Sequence, residues 1–371
     1  MSIYVKMASV SSYLPGEPIP FDDINNYLGN FELASKKLKR WAENVQPMVK
    51  EMLGIKYCHY AFDNKTRTFT DDNLTMSVKA AKIALEKANL KAQDIDLLIF
   101  GGAFSEQMPP ISTRIQEALG IDNCGELHIH SNCTSIYKAI KLAHVLLQTG
   151  EYKRALVISS SAASSCFVPE FYNQEAIQKE DIFLRWYLCD GAGAMVFTAE
   201  EEKKNGYFLE DTYIESAGGN KKSAMYNELP YHWSNPMDVY SKGAHHIRQI
   251  YLNDMKEYAV EENGKTIFFN ALNRMISKKD IDISQLKYLV VNMPSKFVRQ
   301  HIINECLELG IPNEKFYSAI EEVGYAGPPA AIISIDNLLK KQKFNDGDLI
   351  FSFVMEVSKF MQAGFTLRFF E

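Results

Sequence analysis

The sequence predicts an α/β protein built as two similar halves, each running strand, helix, strand, helix, strand. The first observation is the stretch 123–161, NCGELHIHSNCTSIYKAIKLAHVLLQTGEYKRALVISSS. Leu127 and Ile129 alternate with His128 and His130, as in a short strand. Small polar residues follow at Asn132-Cys133-Thr134-Ser135. From about Thr134, Ile136, Ala139, Ile140, Ala143 and Leu147 fall at helical spacing, and Gly150 ends that helix. Arg154–Ser160 then reads as a buried strand. The second observation is a faint internal repeat. Residues 95–121 run strand, loop, helix, and so do residues 286–311, with Asp96–Gly102 matching Lys287–Met293. The turn at Cys133 and its helix are echoed by Val323–Gly327 and the apolar stretch Pro328–Leu339, and strand Arg154–Ser160 by Asp348–Val354. Such a duplication implies two like halves packed on a common core. We expect residues 1–200 to form the half that carries Cys133, and 201–371 the half that carries Asn292 and Tyr325.

Composition agrees with a large buried core: 371 residues, 46% hydrophobic and 23% charged. The net charge of −6 gives no basic excess for nucleic acid. No apolar run approaches the ~18–20 residues of a membrane span, and MSIYVKMASV lacks the apolar run of a signal peptide. Six cysteines without CxxC or short repeated spacing indicate neither a zinc site nor a disulfide framework. The expectation is a reduced, cytoplasmic protein.

Taken in order, Asp22-Asp23 with Ile24 and Leu28 starts one helix. Leu33–Val49, with Lys36, Lys37, Lys39 and Arg40, gives another. Thr70–Leu90 is a helix whose Met76, Val78, Ala81 and Ala84 suit burial on a sheet; Ile95–Gly102 is the next strand, and 104–112 a loop. Residues 161–187 and 205–250 are rich in aromatics, among them Phe183, Tyr187, Tyr226, Tyr231, Trp233 and Tyr240. They read either as the cap of a tunnel for an apolar or aromatic acceptor, or as lid and interface packing. His232 lies among them. His245 and His246 are neighbours, which on a helix makes a poor metal pair.

Cys133 sits where a strand turns into a helix. A thiol there faces the unpaired N–H groups of the first turn and the positive end of the helix dipole. Such positions can draw a cysteine pKa from about 8.5 down to roughly 3.5–7.5. The residue reads as a nucleophile or as a small buried hydrophobe.

Several stretches, in order, resemble the β-ketoacyl-[acyl carrier protein] synthase III (FabH-like) branch of the thiolase superfamily. They are Val10–Gly16 (VSSYLPG), Gly54-Ile55-Lys56, Phe100–Gly120, the nucleophile turn His128–Tyr137, and Cys189-Asp190-Gly191-Ala192-Gly193-Ala194. The match runs end to end, with extra sequence near 29–46 and 215–245. It implies the thiolase fold: two duplicated α/β halves in a five-layered αβαβα architecture. It also implies a dimer whose 104–112 loop reaches across to line the neighbour's acyl pocket, with Met108 at the lining position.

The family works with a Cys, a His and an Asn: the Cys takes an acyl group from a thioester, and the other two bind the extender carbonyl. Here Cys133 matches. Aligned on the strand Tyr288–Val291, the His position holds Asn292; aligned on Gly324, the Asn position holds Tyr325. The Gly-rich oxyanion loop falls on Glu356-Val357-Ser358-Lys359, which makes Ser358 a candidate substrate contact. Asn292 and Tyr325 can each donate a hydrogen bond to a carbonyl, but neither readily serves as a general base at neutral pH. His128 and His130 either help activate the thiol or are satisfied core histidines. The family's coenzyme A-binding Trp and Arg are replaced by Met48 and Met52, which favours a carrier-protein thioester as donor. The basic run at 36–40 is either a solvated helix face or a docking site for an acidic carrier protein or phosphopantetheine.

The resemblance therefore implies a synthase III-like acyltransferase of fatty-acid-like or polyketide-type metabolism. It would have no bound cofactor and use acyl-CoA or an acyl-phosphopantetheine thioester as substrate. Two alternatives stand beside it: a degenerate subunit pairing with an active paralogue, and an ordinary decarboxylative 3-oxoacyl synthase. The assembly expected is a homodimer or a heterodimer with a paralogous synthase.

Overall fold

The computed structural model describes residues 2–103, 107–229, 233–250 and 259–371. Its frame is ten strands: β1 (Tyr4–Tyr13), β2 (Leu97–Gly102), β3 (Gly125–His130), β4 (Arg154–Ser161), β5 (Gly191–Glu200), β6 (Gly206–Ser216), β7 (Leu286–Val291), β8 (Phe316–Tyr317), β9 (Leu349–Glu356) and β10 (Met361–Phe370). The first five lie in the order β3-β2-β4-β5-β1 and the last five in the order β8-β7-β9-β10-β6. These are the same order, so the faint repeat is a repeat of topology. β2 runs parallel to β3 and β4, and β7 parallel to β8 and β9, while β5 and β10 close each half antiparallel. The halves are joined in one continuous sheet by a short antiparallel ladder between β1 and β6, Val5↔Leu209 to Met7↔Tyr207.

The helices that frame the site are α1 (Lys36–Leu53), α2 (Asn73–Lys87), α3 (Ile111–Leu119), α4 (Ser135–Gln148), α5 (Ile267–Lys279), α6 (Lys296–Cys306) and α7 (Ala330–Lys341). α2 and α3 cover the outer face of the first half-sheet, and α5, with α6 packed on it, covers the second. α4 and α7 lie between the halves: α4 touches β2 and β4 on one side and β6 and β10 on the other. The result is five layers, αβαβα. The middle layer is the most apolar, with Ile136, Ile140 and Ala143 of α4 packed with Ile332, Ile335 and Leu338 of α7. Helices sandwiched between sheets must be apolar on two faces, and the patterns of 136–147 and 330–338 meet that demand.

Most element boundaries follow from local chemistry. α2 starts at a capping box between Asp72 and Thr75. α1 starts at Ser35, whose hydroxyl accepts from the Leu38 N–H, and stops at Gly54 in the left-handed region (φ +72). It therefore begins later and runs further than expected, leaving Leu33 exposed before it. At Gly101, a Cβ would come within 2.8 Å of the Ser135 carbonyl oxygen, so only glycine lets the start of α4 sit directly on β2. That approach fixes the turn holding Cys133. No helix among the described residues is long and apolar enough to cross a membrane.

Candidate active site

At the Cys133 turn a buried carboxylate takes the backbone N–H just before α4. Thr134, the residue before the helix, makes no side-chain cap of its own. Instead Glu356, at the end of β9, is fully buried against it. The Glu356 carboxylate accepts from the Thr134 backbone N–H at 2.9 Å, the Thr134 hydroxyl at 2.5 Å, the Ser131 hydroxyl at 3.0 Å and the Ser358 hydroxyl at 2.6 Å. A carboxylate so placed is stabilised by the helix dipole, by about 0.3–1 kcal/mol and up to ~2 when partly buried. It also repels a second anion. Burial first, and then the Glu356 charge, push the Cys133 thiol up to about 12. The direction is opposite to the depressed thiol expected from the turn: burial and the Glu356 charge outweigh the hydrogen bonds, from Tyr325 and the backbone, that favour the thiolate.

Tyr325 meets Cys133 directly, its Oη 2.7 Å from Cys133 Sγ. Gly324 makes this possible. It has φ +77, and a Cβ there would meet Cys189 Sγ at 2.7 Å and the Tyr57 carbonyl oxygen at 3.0 Å. The Tyr325 carbonyl then accepts from the Cys189 N–H at 3.0 Å, locking the turn. Burial holds the Tyr325 phenol well above its ordinary value, so hydroxyl and thiol are both neutral at rest. The contact still favours thiolate over an unpartnered thiol, because a hydroxyl donor stabilises the anion.

Asn292 is placed otherwise. Its Nδ2 donates to Tyr137 Oη at 3.0 Å, its Oδ1 accepts from Ser334 Oγ at 2.9 Å, and Tyr137 Oη lies 2.8 Å from Ser352 Oγ. The residue is 3% exposed and ties β7, α4, α7 and β9 together inside the core. It does not line the cavity on which Cys133 opens. Ser358 donates to Glu356 and likewise stays off the cavity wall, whereas its neighbour Val357 lies on it. Met108 is 98% exposed and away from the cavity of its own chain; residues 104–106 of its loop lie outside the described residues. Met48 is exposed, and Met52 packs at the margin of the core.

His128 and His130 are not core histidines. β3 is the edge strand of its half, so His130 is exposed and His128 half-buried, edge-on to the Phe100 ring at 5.3 Å. His246 is buried between Asp181, 3.2 Å from its Nδ1, and the Asn173 N–H, which donates to Nε2 at 3.0 Å; it fastens the 205–250 segment to the 161–187 segment. The six cysteines are free. Among the described residues no group of His, Cys, Asp or Glu is disposed to hold a metal.

The cavity has a volume of about 400 Å³, within the range of ~300–1,000 Å³ common for small-molecule sites. Its walls come from both halves: Cys133 and Tyr325 at one side, Phe183 and Tyr187 from the 161–187 segment, Met225 and Gln249 from the extra sequence after β6. Phe297 and His301, both exposed on α6, lie at the rim. Of the aromatics noted in the sequence, Phe183 and Tyr187 face the cavity, Tyr226 and Tyr240 are exposed, and Tyr231, with His232, lies outside the described residues. Glu356 was placed only within the oxyanion loop, and Tyr137 only at the end of the nucleophile turn, neither with a role of its own. The role of Tyr137 was within reach of the sequence, since it stands one helical turn from Cys133.

The family model for 3-oxoacyl-[acyl-carrier-protein (ACP)] synthase III matches residues 127–218, which hold the Cys133 turn, α4, β4 and β5. The β-ketoacyl-[acyl-carrier-protein] synthase III of Clostridium perfringens is 24% identical over 317 residues, 85% of this chain and 89% of that protein. Two solved structures share the fold. The tetronic acid condensing enzyme AbyA1 has a TM-score of 0.76 at 19% identity, covering 98% of this chain and 100% of that one. The 3-oxoacyl-[acyl-carrier-protein] synthase III of Aquifex aeolicus has a TM-score of 0.73 at 20% identity, with the same coverage. The chain thus has the fold of these proteins and is similar in sequence to synthase III (FabH-like) proteins. Against the pattern that the sequence resemblance implies, Tyr325 stands against the cysteine and Asn292 is withdrawn into the core.

Proposed function

We propose that the protein is an acyltransferase that takes an acyl group from a carrier-protein or CoA thioester onto Cys133 and passes it to an acceptor. The observation that carries this reading is the 2.7 Å contact of Cys133 Sγ with Tyr325 Oη at the wall of an apolar cavity. In the first step the thioester carbonyl carbon bonds to Cys133 Sγ and the donor's C–S bond breaks. The thiol proton passes to Tyr325 Oη as the phenol proton goes to the departing thiolate, so neither residue need carry a charge at rest. A concerted transfer suits a site where Glu356 disfavours a standing thiolate. In the second step a carbon, oxygen or nitrogen nucleophile attacks the acyl-cysteine and Cys133 leaves as thiol. Met48 and Met52, at the positions of the family's coenzyme A contacts, favour a carrier-protein donor. Fatty-acid-like or polyketide-type metabolism is the matching context, and a homodimer or heterodimer the matching assembly.

A second reading, a partner subunit of an active paralogue, is favoured by two observations: the thiol is raised to about 12, and Asn292 is held in core hydrogen bonds. One experiment separates them. The protein is incubated with short, long and aromatic acyl-carrier-protein and acyl-CoA thioesters, digested, and the Cys133 peptide weighed. An acyl adduct on that peptide is expected; its absence with every donor favours the partner subunit.

A further inference from the structure

The cavity wall is hydrocarbon and aromatic ring for most of its extent, yet Gln249 stands in it at 3% exposure. Its Oε1 accepts from the Tyr187 hydroxyl. No hydrogen bond from its Nε2 is found among the described residues, and Nε2 is not one of their sealed, unpaired polar atoms, so it opens on the cavity. A donor open to a cavity whose walls are otherwise mostly apolar is available to an acceptor on the molecule that fills it.

The position is held firmly. Gln249 pairs with Met225 in the two-stranded ribbon 225–226/248–249, and the flanking Ile250 N–H donates to the Ala224 carbonyl at 3.0 Å. On the other flank, Arg248 Nε donates to the buried Asp181 at 2.7 Å. The group is also aligned with the nucleophile. The Tyr187 ring lies 6.2 Å from the Tyr325 ring, and Tyr325 touches Cys133. Gln249 is therefore two tyrosine side chains away from the sulfur, on the same cavity. Because the Tyr187 proton is directed at Gln249, the Tyr187 oxygen is left to accept and Nε2 to donate.

We propose that Gln249 and Tyr187 form a subsite for an oxygen atom of the acyl chain remote from the thioester, so that the group carried is an oxygenated (oxo or hydroxy) chain and not a plain alkyl one. Nε2 donates to that oxygen; a hydroxyl there also donates to Tyr187 Oη. A site built around a hydrogen bond rejects the analogue that lacks it more strongly than a purely apolar wall discriminates by size. The ligand being an acyl group rests on the transfer reading above, and the test is chosen to fail separately from it.

Pantetheine analogues carrying the acyl group in amide linkage cannot acylate Cys133. A series of equal chain length, with the oxo or hydroxyl group moved along the chain, is titrated calorimetrically against a plain alkyl analogue. At one position the oxygenated analogue binds the wild type about tenfold more tightly. Gln249→Met abolishes that preference and improves alkyl binding; Tyr187→Phe weakens the preference for the hydroxy analogue more than for the oxo one. Wild type that binds the alkyl analogue as tightly as every oxygenated one, or that binds neither, overturns the proposal. So does a preference that survives in folded Gln249→Met. The wild-type comparison needs no variant, and loss of the Cys133 adduct in the transfer experiment has no bearing on it.

Discussion

The Glu356 carboxylate accepts the Thr134 backbone N–H at 2.9 Å, across 222 residues of chain. That bond closes the start of α4 with a charge from the other half. With burial, the larger cause, that charge keeps the Cys133 thiol protonated at a position that ordinarily activates a cysteine.

The pH dependence of Cys133 follows in sign. With the thiol raised to about 12, the thiolate fraction grows about tenfold per pH unit throughout the neutral and mildly alkaline range. Alkylation of Cys133 by iodoacetamide, followed by peptide mass spectrometry, should rise log-linearly from pH 7 to 10 with no plateau. Levelling off near pH 8–9 would contradict the buried, charge-opposed thiol. Glu356→Gln keeps an acceptor for Thr134 and removes the charge, so alkylation at pH 8 should accelerate, about tenfold per unit of pKa released.

Tyr325→Phe keeps the ring in the core and deletes the hydroxyl at the sulfur. Acyl transfer to Cys133 should slow by about 10²–10³, the loss typical of a single donor at a reacting centre. The apparent melting temperature should scarcely change. Unaltered acylation rates would remove Tyr325 from the proton path.

Asn292→Ala should lower stability, because Tyr137 and Ser334 each lose a partner inside the core. The expected loss is about 1–3 kcal/mol per buried group left unsatisfied, read by denaturant unfolding. Asn292→His should not create decarboxylation, since position 292 does not reach the cavity. Labelled carbon dioxide release from a malonyl-carrier thioester measures this. Wild-type turnover at the ~1–10³ per second of ordinary enzymes would restore the decarboxylative class.

Assembly is read by light scattering. Among the described residues β3 lies at the edge of the sheet, with His130 exposed, and Met108 stands 98% exposed. Open edges of this kind are ordinarily covered. A mass of twice the chain is expected, alone or with a paralogous synthase. A monomer that still acylates Cys133 would refute it.

What the amino-acid sequence determined by itself was local: the strand alternation at 127–130, the helical spacing of 136–147, the turn that holds Cys133, and the repeat that makes two equivalent half-sheets. These depend on the periodicities of strand and helix, which act over a few residues and so can be read along the chain. Tertiary structure decided the chemistry. That Glu356 takes the Thr134 N–H, that Tyr137 and Ser334 hold Asn292, and that Gln249 enters an apolar wall each depend on residues far apart in sequence. The same holds for His130, where an alternating strand does not say whether it lies at the centre of a sheet or at its edge. A side chain's charge state and hydrogen-bonding role are set by what surrounds it in three dimensions, because burial and through-space charge govern both.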